Sequence, residues 1–203
     1  MSAIIDYGMG NLHSVSNALN KLNIELCITN NKEEMKKADG LILPGVGAFP
    51  DCMKTLIKQD LVSILKEEVN KGKPLLGICL GMQVLFEKGY EVEECEGLGL
   101  LSGEIVLMKD KDVKIPHMGW NRLEKFQSDT IYDSLNKDSF VYYVHSFYAQ
   151  NYKEEDLIAY SNYGSLKIPG YVRKGNILGM QFHPEKSGED GLAMLKAFAS
   201  LCK

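Results

Sequence analysis

Pro74-Leu75-Leu76-Gly77-Ile78-Cys79-Leu80-Gly81 is an apolar run that ends in a cysteine between two glycines. The run predicts a buried strand, and the residues from Met82 to Phe86 predict a short helix after it. A reactive side chain flanked by glycines at a strand-to-helix turn is the pattern of a nucleophile elbow. The glycines let the backbone turn sharply enough to expose Cys79.

Strands and helices alternate around this elbow. Residues 3–7, 24–28 and 41–43 are strand-like, and apolar residues at helical spacing occupy 12–22 and 61–69. Alternation of this kind predicts a largely parallel sheet with helices on both faces.

The second half of the chain changes character. Residues 105–108, 140–144, 157–160 and 177–182 are strand-like with little helix between them, and residues 190–201 form an amphipathic helix. We therefore expect a three-layer α/β fold with a mostly parallel central sheet and some antiparallel strands in its C-terminal half. No stretch resembles a linker, so residues 1–203 are expected to form a single domain.

Composition narrows the class of function. The chain has 203 residues, 23 Lys+Arg and 27 Asp+Glu, for a formal charge of −4, which does not support a nucleic-acid footprint. No segment approaches the roughly 20 apolar residues that a membrane span needs. Five scattered cysteines without a Cys-x-x-Cys pair fit neither a disulfide framework nor a zinc site. We expect free thiols, a cytoplasmic location, and no metal or cofactor.

Cys79 is the cysteine whose surroundings predict a reactive thiol. A helix N-terminus and a nearby imidazolium would both favour its thiolate. The backbone N–H of Leu80 would face the charge that develops during attack, and the loop Pro44-Gly45-Val46-Gly47 could supply a second donor. The alternatives are a core cysteine between packing glycines and an ordinary Pro-Gly turn.

His183-Pro184-Glu185 follows an apolar strand and supplies a candidate base. A thiol nucleophile needs a base that can later protonate the leaving group, and histidine titrates in the right range. A carboxylate that accepts the other ring N–H would fix the tautomer. A lone histidine is more often structural, but an elbow cysteine and a nearby carboxylate favour catalysis.

With these motifs in this order, the chain resembles class I (triad) glutamine amidotransferases. Three further segments, Asp6–Leu12, Pro116–Asn121 and His145–Tyr148, resemble the glutaminase subunit family of imidazole glycerol phosphate synthase, and the match runs essentially from end to end.

The resemblance implies the roles of the site residues. Cys79 would attack the glutamine carboxamide to form a γ-glutamyl thioester, with His183 as acid and base and Glu185 orienting it. The implied oxyanion hole consists of Leu80, Val46 and Gly47, and the peptide at Val46, in a strand, would have to reorient to complete it. The positions implied to hold glutamine are Gly47, Gln83, His145, Ser146 and Phe147.

The resemblance also implies a partner, a (β/α)₈-barrel cyclase that forms a heterodimer with this chain, receives its ammonia and acts in histidine biosynthesis. Isolated glutaminase activity should then be weak. The implied interface positions are Asn11, Pro116, Met118, Gly119, Trp120, Asn121, Tyr142 and Lys186. A sole tryptophan such as Trp120 is usually a core residue, whereas an exposed one would indicate a contact site.

Several alternatives stay open at this point. His13 and Phe147 stand where the family commonly has Arg and Tyr, which leaves room for a paralogue that feeds ammonia to a sugar-modifying partner. Other α/β enzymes with an elbow cysteine, such as glyoxalases, chaperones and hydrolases, lack His-Pro-Glu. A phosphate loop at Gly8-Met9-Gly10 is weakly supported because His13 replaces its third glycine. A purely structural subunit would be expected to have lost a triad residue.

Overall fold

The computed structural model describes residues 1–135 and 138–202. The strands are β1 Ser2–Ile5, β2 Leu26–Thr29, β3 Gly40–Gly45, β4 Leu75–Cys79, β5 Lys88–Gly89, β6 Cys95–Glu96, β7 Glu104–Leu107, β8 His117–Arg122, β9 Glu124–Lys125, β10 Phe140–His145, β11 Phe147–Gln150, β12 Leu157–Tyr163, β13 Leu166–Lys174 and β14 Ile177–Met180. The helices are α1 Leu12–Lys21, α2 Lys32–Lys37, α3 Phe49–Lys58, α4 Leu61–Asn70, α5 Leu80–Gln83 and α6 Gly188–Leu201.

An eight-stranded sheet with the order β2-β1-β3-β4-β14-β13-β12-β9 forms the centre of the fold. The five strands from β2 to β14 run parallel, and β13, β12 and β9 continue the sheet antiparallel. The predicted mixed sheet is therefore confirmed. Because the carboxyl ends of parallel strands share one edge, the segments that follow β3, β4 and β14 meet there.

Helices cover both faces of this sheet because its strands are apolar on both sides. In β1, Ala3 and Ile5 pack into one core with α3 and α4, while Ile4 packs into the other with α1 and α6. This alternation follows from the two-residue period of a strand, and it confirms the three-layer architecture.

Strands β8 and β10 form a separate antiparallel pair, with Trp120 opposite Tyr142 and His117 opposite His145. Successive side chains of a strand point to opposite faces. Trp120 and Tyr142 thus share one face of the pair, and the two histidines lie on the other. A four-stranded sheet, β11-β7-β5-β6, lies beside the centre.

Some predicted boundaries were wrong. The helix expected over Met82–Phe86 is a single turn that begins at Leu80 and ends at Gln83, because the elbow bends directly into it. The first and last predicted strands end earlier than expected, at Ile5 and Met180, and the predicted strand over 24–28 begins only at Leu26. Helices α2 and α3 were not predicted. Within residues 1–135 and 138–202, no helix is long and apolar enough to cross a membrane.

Candidate active site

Cys79 stands at the end of β4 with backbone angles φ 54° and ψ −111°. A positive φ is costly for a residue with a side chain, and such strain is typical of a nucleophile elbow. A Cβ on Gly77 would lie 2.5 Å from the Gly81 carbonyl oxygen, and a Cβ on Gly81 would overlap the Leu43 carbonyl. Both glycines are therefore required for the turn, as the sequence predicted.

His183 and Glu185 form the other half of the site. His183 follows β14, and its backbone N–H donates to the Tyr142 carbonyl at 2.9 Å. Its ring Nδ1 lies 2.8 Å from Glu185 Oε1, and both side chains are buried. Since Nδ1 is taken by the carboxylate, Nε2 is the nitrogen left to face Cys79.

The charge state of His183 follows from its two neighbours. Burial alone would lower the pKa of the imidazole, but its interactions with Cys79 and Glu185 outweigh burial and raise the pKa from 6.5 to about 10. A charged imidazolium beside the sulfur favours the thiolate. The helix at the elbow, α5, is a single turn of four residues, so few peptide dipoles sum at its N-terminus.

A cavity of about 320 Å³ opens above the sulfur. It brings together nine of the residues singled out from the sequence, with Glu185 behind His183. Those nine lining residues are Val46, Gly47, Cys79, Leu80, Gln83, His145, Ser146, Phe147 and His183. Glu91 and Val144 complete the wall, and a space of this size suits a small ligand.

Gln83 is held by two hydrogen bonds that use both of its amide N–H groups. Nε2 donates to the Phe147 carbonyl and to Gln181 Oε1, each at 3.0 Å. Gln181 Nε2 in turn lies 3.9 Å from Cys79 Sγ. Sequence reasoning did not assign a role to Gln181, although it lies two residues before His183, immediately after β14.

Glu91 is a second lining residue that sequence reasoning missed. It follows β5, it is half-buried, and its Oε2 accepts a hydrogen bond from the Phe49 N–H at 2.8 Å. Burial raises the pKa of this carboxyl group, in part offset by that hydrogen bond. The surrounding residues include three more glutamates, Glu93, Glu94 and Glu96, so no sequence signal distinguished Glu91.

The loop predicted to complete the oxyanion hole does reach the cavity. Val46 lies immediately after β3, not within the strand as the resemblance implied, and Gly47 follows with φ 103°. The Tyr7 hydroxyl donates to the Pro44 carbonyl at 2.9 Å. On the other side, Leu80 is the first residue of α5, where a backbone N–H has no intrahelical partner.

Gly10 packs beneath this loop. A Cβ at Gly10, where φ is 146°, would lie 3.2 Å from Pro44 Cγ. Close packing against the loop therefore accounts for this glycine without a phosphate ligand.

Three of the predicted interface residues, Met118, Trp120 and Tyr142, lie on one face of the β8–β10 pair. Met118 and Trp120 are 61% and 56% exposed, and the Trp120 and Tyr142 ring centroids lie 6.1 Å apart. A Cβ at Gly188 would touch the Trp120 ring at 3.8 Å, which places the exposed Lys186 segment nearby. We call Met118, Trp120, Tyr142 and Lys186 the docking face.

The remaining predicted interface residues differ in their surroundings. Pro116 is exposed and Gly119 is partly exposed beside the docking face. Asn11 caps α1, with its Oδ1 accepting from the Ser14 N–H at 3.1 Å. Asn121 is half-buried, and its amide bonds to other side chains and backbone of this chain.

Comparisons with known proteins identify the family of the chain. The family model of class-I glutamine amidotransferases matches residues 3–201. Imidazole glycerol phosphate synthase subunit HisH of Bacillus cereus (strain B4264) is 55% identical over 198 residues, covering 98% of this chain and 93% of that protein. The subunit of the same name from Lactococcus lactis is 53% identical over 195 residues, covering 96% of each chain. The structure of PurLQS from Thermotoga maritima shares the fold, with a TM-score of 0.76, 20% identity, and coverage of 100% of this chain and 98% of that one.

The fold and the site define a class I glutamine amidotransferase, an enzyme that hydrolyses glutamine. At this level of identity over nearly the whole length, the chain belongs to the family of imidazole glycerol phosphate synthase HisH subunits. A paralogous role with a sugar-modifying partner is not favoured by these relatives.

Proposed function

We propose that this chain releases ammonia from glutamine through a thioester on Cys79 and delivers it to a (β/α)₈-barrel cyclase docked beside the cavity. The observation that carries the proposal is the buried His183–Glu185 pair facing a strained elbow cysteine at the foot of the cavity. We further propose that the whole chain acts as one glutaminase domain. Free cysteines are the usual state in a reducing compartment, which supports a cytoplasmic location.

The first half-reaction forms the thioester. The Cys79 thiolate attacks the carboxamide carbon, and the carbonyl oxygen becomes an oxyanion that backbone N–H groups of Leu80 and the Val46–Gly47 loop can stabilise. When the intermediate collapses, the C–N bond breaks and His183 donates its Nε2 proton to the departing amide nitrogen as ammonia. Glu185 keeps the imidazole oriented throughout.

The second half-reaction releases glutamate. His183, now neutral, accepts a proton from a water molecule as that water attacks the thioester carbon. The C–S bond breaks, the thiolate of Cys79 returns, and His183 regains its charge. The net change is glutamine plus water to glutamate plus ammonia.

The cavity wall can recognise the amino-acid end of glutamine. Both N–H groups of Gln83 are used inside the protein, so its Oε1 is the polar atom that it can offer to a donor such as the α-ammonium group. The Glu91 carboxylate offers a charged partner for the same group. Ser146 and backbone N–H groups near Gly47 can bind the α-carboxylate.

The composition and position of the docking face support the proposal that the cyclase binds there. It exposes a tryptophan, a methionine and a lysine in one patch, and aromatic residues and methionine are enriched at protein interfaces. It also adjoins the site, because the Val144 carbonyl in β10 lies 3.9 Å from Cys79 Sγ. A cyclase bound there would lie next to Cys79, where ammonia forms. The family implies that this transfer of ammonia serves histidine biosynthesis.

The test is glutamate release from glutamine by the purified chain, alone and mixed with the cyclase subunit from the same source plus its nucleotide ligand. Weak activity alone and strong stimulation in the mixture are expected. Reactivity of Cys79 toward a glutamine-like electrophile without any stimulation would contradict the cyclase partner, and an unreactive Cys79 would contradict the glutaminase mechanism.

A further inference from the structure

Two buried histidines outside the catalytic group lie in an unbroken line of hydrogen bonds between β8 and the cavity. His117 Nδ1 lies 3.1 Å from His145 Nε2, and His145 Nδ1 lies 2.7 Å from the Phe147 carbonyl oxygen. At the other end, His117 Nε2 lies 3.3 Å from Asn121 Nδ2. Both histidines are buried, and the contact between their rings is shielded from water, while the contacts to the Phe147 carbonyl and to Asn121 are partly buried.

The hydrogen bond at the cavity end of this line determines which ring nitrogens of the two histidines carry protons. The Phe147 carbonyl can only accept, so His145 carries its proton on Nδ1 and presents a bare Nε2. His117 must then donate from Nδ1 to that bare nitrogen.

The hydrogen bonds at the β8 end of this line require the same tautomers. Asn121 Oδ1 accepts from the Arg122 N–H at 2.8 Å, and Asn121 Nδ2 donates to the Asn162 carbonyl at 2.9 Å. The amide is therefore oriented with an N–H toward His117 Nε2, which must be bare. Burial lowers the pKa of His117 to about 4 and that of His145 to about 3, so both rings are neutral with single, defined tautomers.

The line ends on the group that orients Gln83. The Phe147 carbonyl accepts from both His145 and Gln83, and the second N–H of the Gln83 amide is held by Gln181. That carbonyl and Gln181 Oε1 together fix the orientation of the Gln83 amide. The hydrogen bonds through His145 and His117 connect the same carbonyl to β8.

We propose that His117 is a positioning residue for glutamine, linking β8 through His145 and the Phe147 carbonyl to the orientation of Gln83. The link starts on the strand whose opposite side carries Met118 and Trp120 of the docking face. The proposal deepens the proposed function and rests on it for the identity of the substrate.

The competing explanation is that His117 only fills space. Its ring stacks between Tyr143 and Tyr163, with centroid distances of 4.5 Å and 3.9 Å. Three substitutions separate stacking from hydrogen bonding. His117→Phe keeps a ring in the stack and loses both hydrogen bonds. His117→Asn retains a donor near the Nδ1 position, toward His145, whereas His117→Gln retains an acceptor near the Nε2 position, toward Asn121.

The experiment measures kcat and KM for glutamine with each variant in complex with the cyclase subunit and its nucleotide ligand. In His117→Phe and His117→Gln, which both lose the hydrogen bond to His145, we expect KM to rise about three- to tenfold, the usual effect of one lost hydrogen bond, with kcat within about twofold. His117→Asn should restore KM to near the wild-type value. Tyr163→Phe, which keeps the stack and loses only the Tyr163 bond to the Lys114 carbonyl, is the matched control with unchanged KM.

Equal KM values in wild type and all three His117 variants would overturn the proposal. So would losses in kcat that parallel the folded fraction, measured by thermal unfolding, without a change in KM. A failure of the proposed function is distinguishable, because it would appear in the wild-type complex as absent glutamate release.

Discussion

His183 Nδ1 and Glu185 Oε1 lie 2.8 Å apart with a single proline between the two residues in the chain. Pro184 restricts the backbone between them, and the pair is buried. The carboxylate holds the imidazole in one orientation and favours its charged form. The chemistry expected of Cys79 depends on this contact, since the other ring nitrogen must face the sulfur.

Glu185→Gln tests that dependence. A neutral amide can donate to Nδ1 and so favour the wrong tautomer, and it no longer stabilises the imidazolium. We expect kcat/KM for glutamine to fall about 10²-fold or more, with little change in thermal stability. Steady-state glutamate release measures the effect. Glu189→Gln, at an exposed glutamate in the first turn of α6, is the control, and an equal loss in both variants would contradict the role of Glu185.

The protonation of His183 is expected to depend on Cys79. Because the pKa of His183 is raised from 6.5 to about 10, the imidazolium should persist through neutral pH and lose its proton only as the pH rises toward about 10. In Cys79→Ala, one of the two groups that raise this pKa is gone, so the imidazole should deprotonate at a lower pH. Nitrogen-15 NMR titration of the ring checks this, and identical titration curves would contradict the coupling.

The two neutral histidines predict acid sensitivity. Their pKa values are lowered by burial to about 4 for His117 and about 3 for His145, below the value of about 6.5 in an unfolded chain. The unfolded state therefore binds more protons as the pH falls. The stability that depends on neutral rings is complete above about pH 6.5 and is lost as the pH falls toward 4, by up to about 1.4 kcal/mol per pH unit for each histidine.

The measurement is the free energy of unfolding by denaturant between pH 4.5 and pH 7.5. His117→Phe should lose stability less steeply than wild type as the pH falls, because one of the two titrating rings is gone. The same slope in His117→Phe and wild type would show that His117 does not titrate differently on unfolding.

Much of this site could be predicted from short-range patterns. The Gly77–Gly81 motif, together with the apolar run before it, predicts the elbow. Only glycine fits at these two positions, because a side chain would meet the Leu43 and Gly81 backbones. His183-Pro184-Glu185 predicts the catalytic base, because the histidine and its carboxylate partner are only two residues apart in the sequence. Helix α3 was missed although its sequence predicts it. Its buried residues recur at the spacing of a helix, and they are Phe49, Cys52, Met53 and Leu56.

Other features depend on contacts between distant parts of the chain. Helix α2 has six residues, five of them charged, and buries only Met35, so it lacks an apolar stripe. Glu91 becomes a lining residue only because its loop packs against the start of α3. His117 acquires its neighbours from β10 through strand pairing, and no spacing in the sequence encodes that register.

Trp120→Ala tests the docking face. The side chain is 56% exposed, so its loss should change the stability of the isolated chain by less than about 0.5 kcal/mol. Affinity for the cyclase subunit should weaken about 30-fold or more if Trp120 is an interface anchor. Calorimetric titration gives the affinity. Ile57→Ala, at a 63% exposed apolar residue on α3, should bind like wild type, and unchanged binding by Trp120→Ala would exclude this face.

The most direct test of the central claim compares two nitrogen sources in one assay with Cys79→Ala. In complex with the cyclase subunit, this variant should bind its partner and support product formation from ammonium salts at the wild-type rate. Formation of product from glutamine should be abolished, because the nucleophile that opens the carboxamide is gone. Glutamine-dependent synthesis that persists in Cys79→Ala would contradict the account.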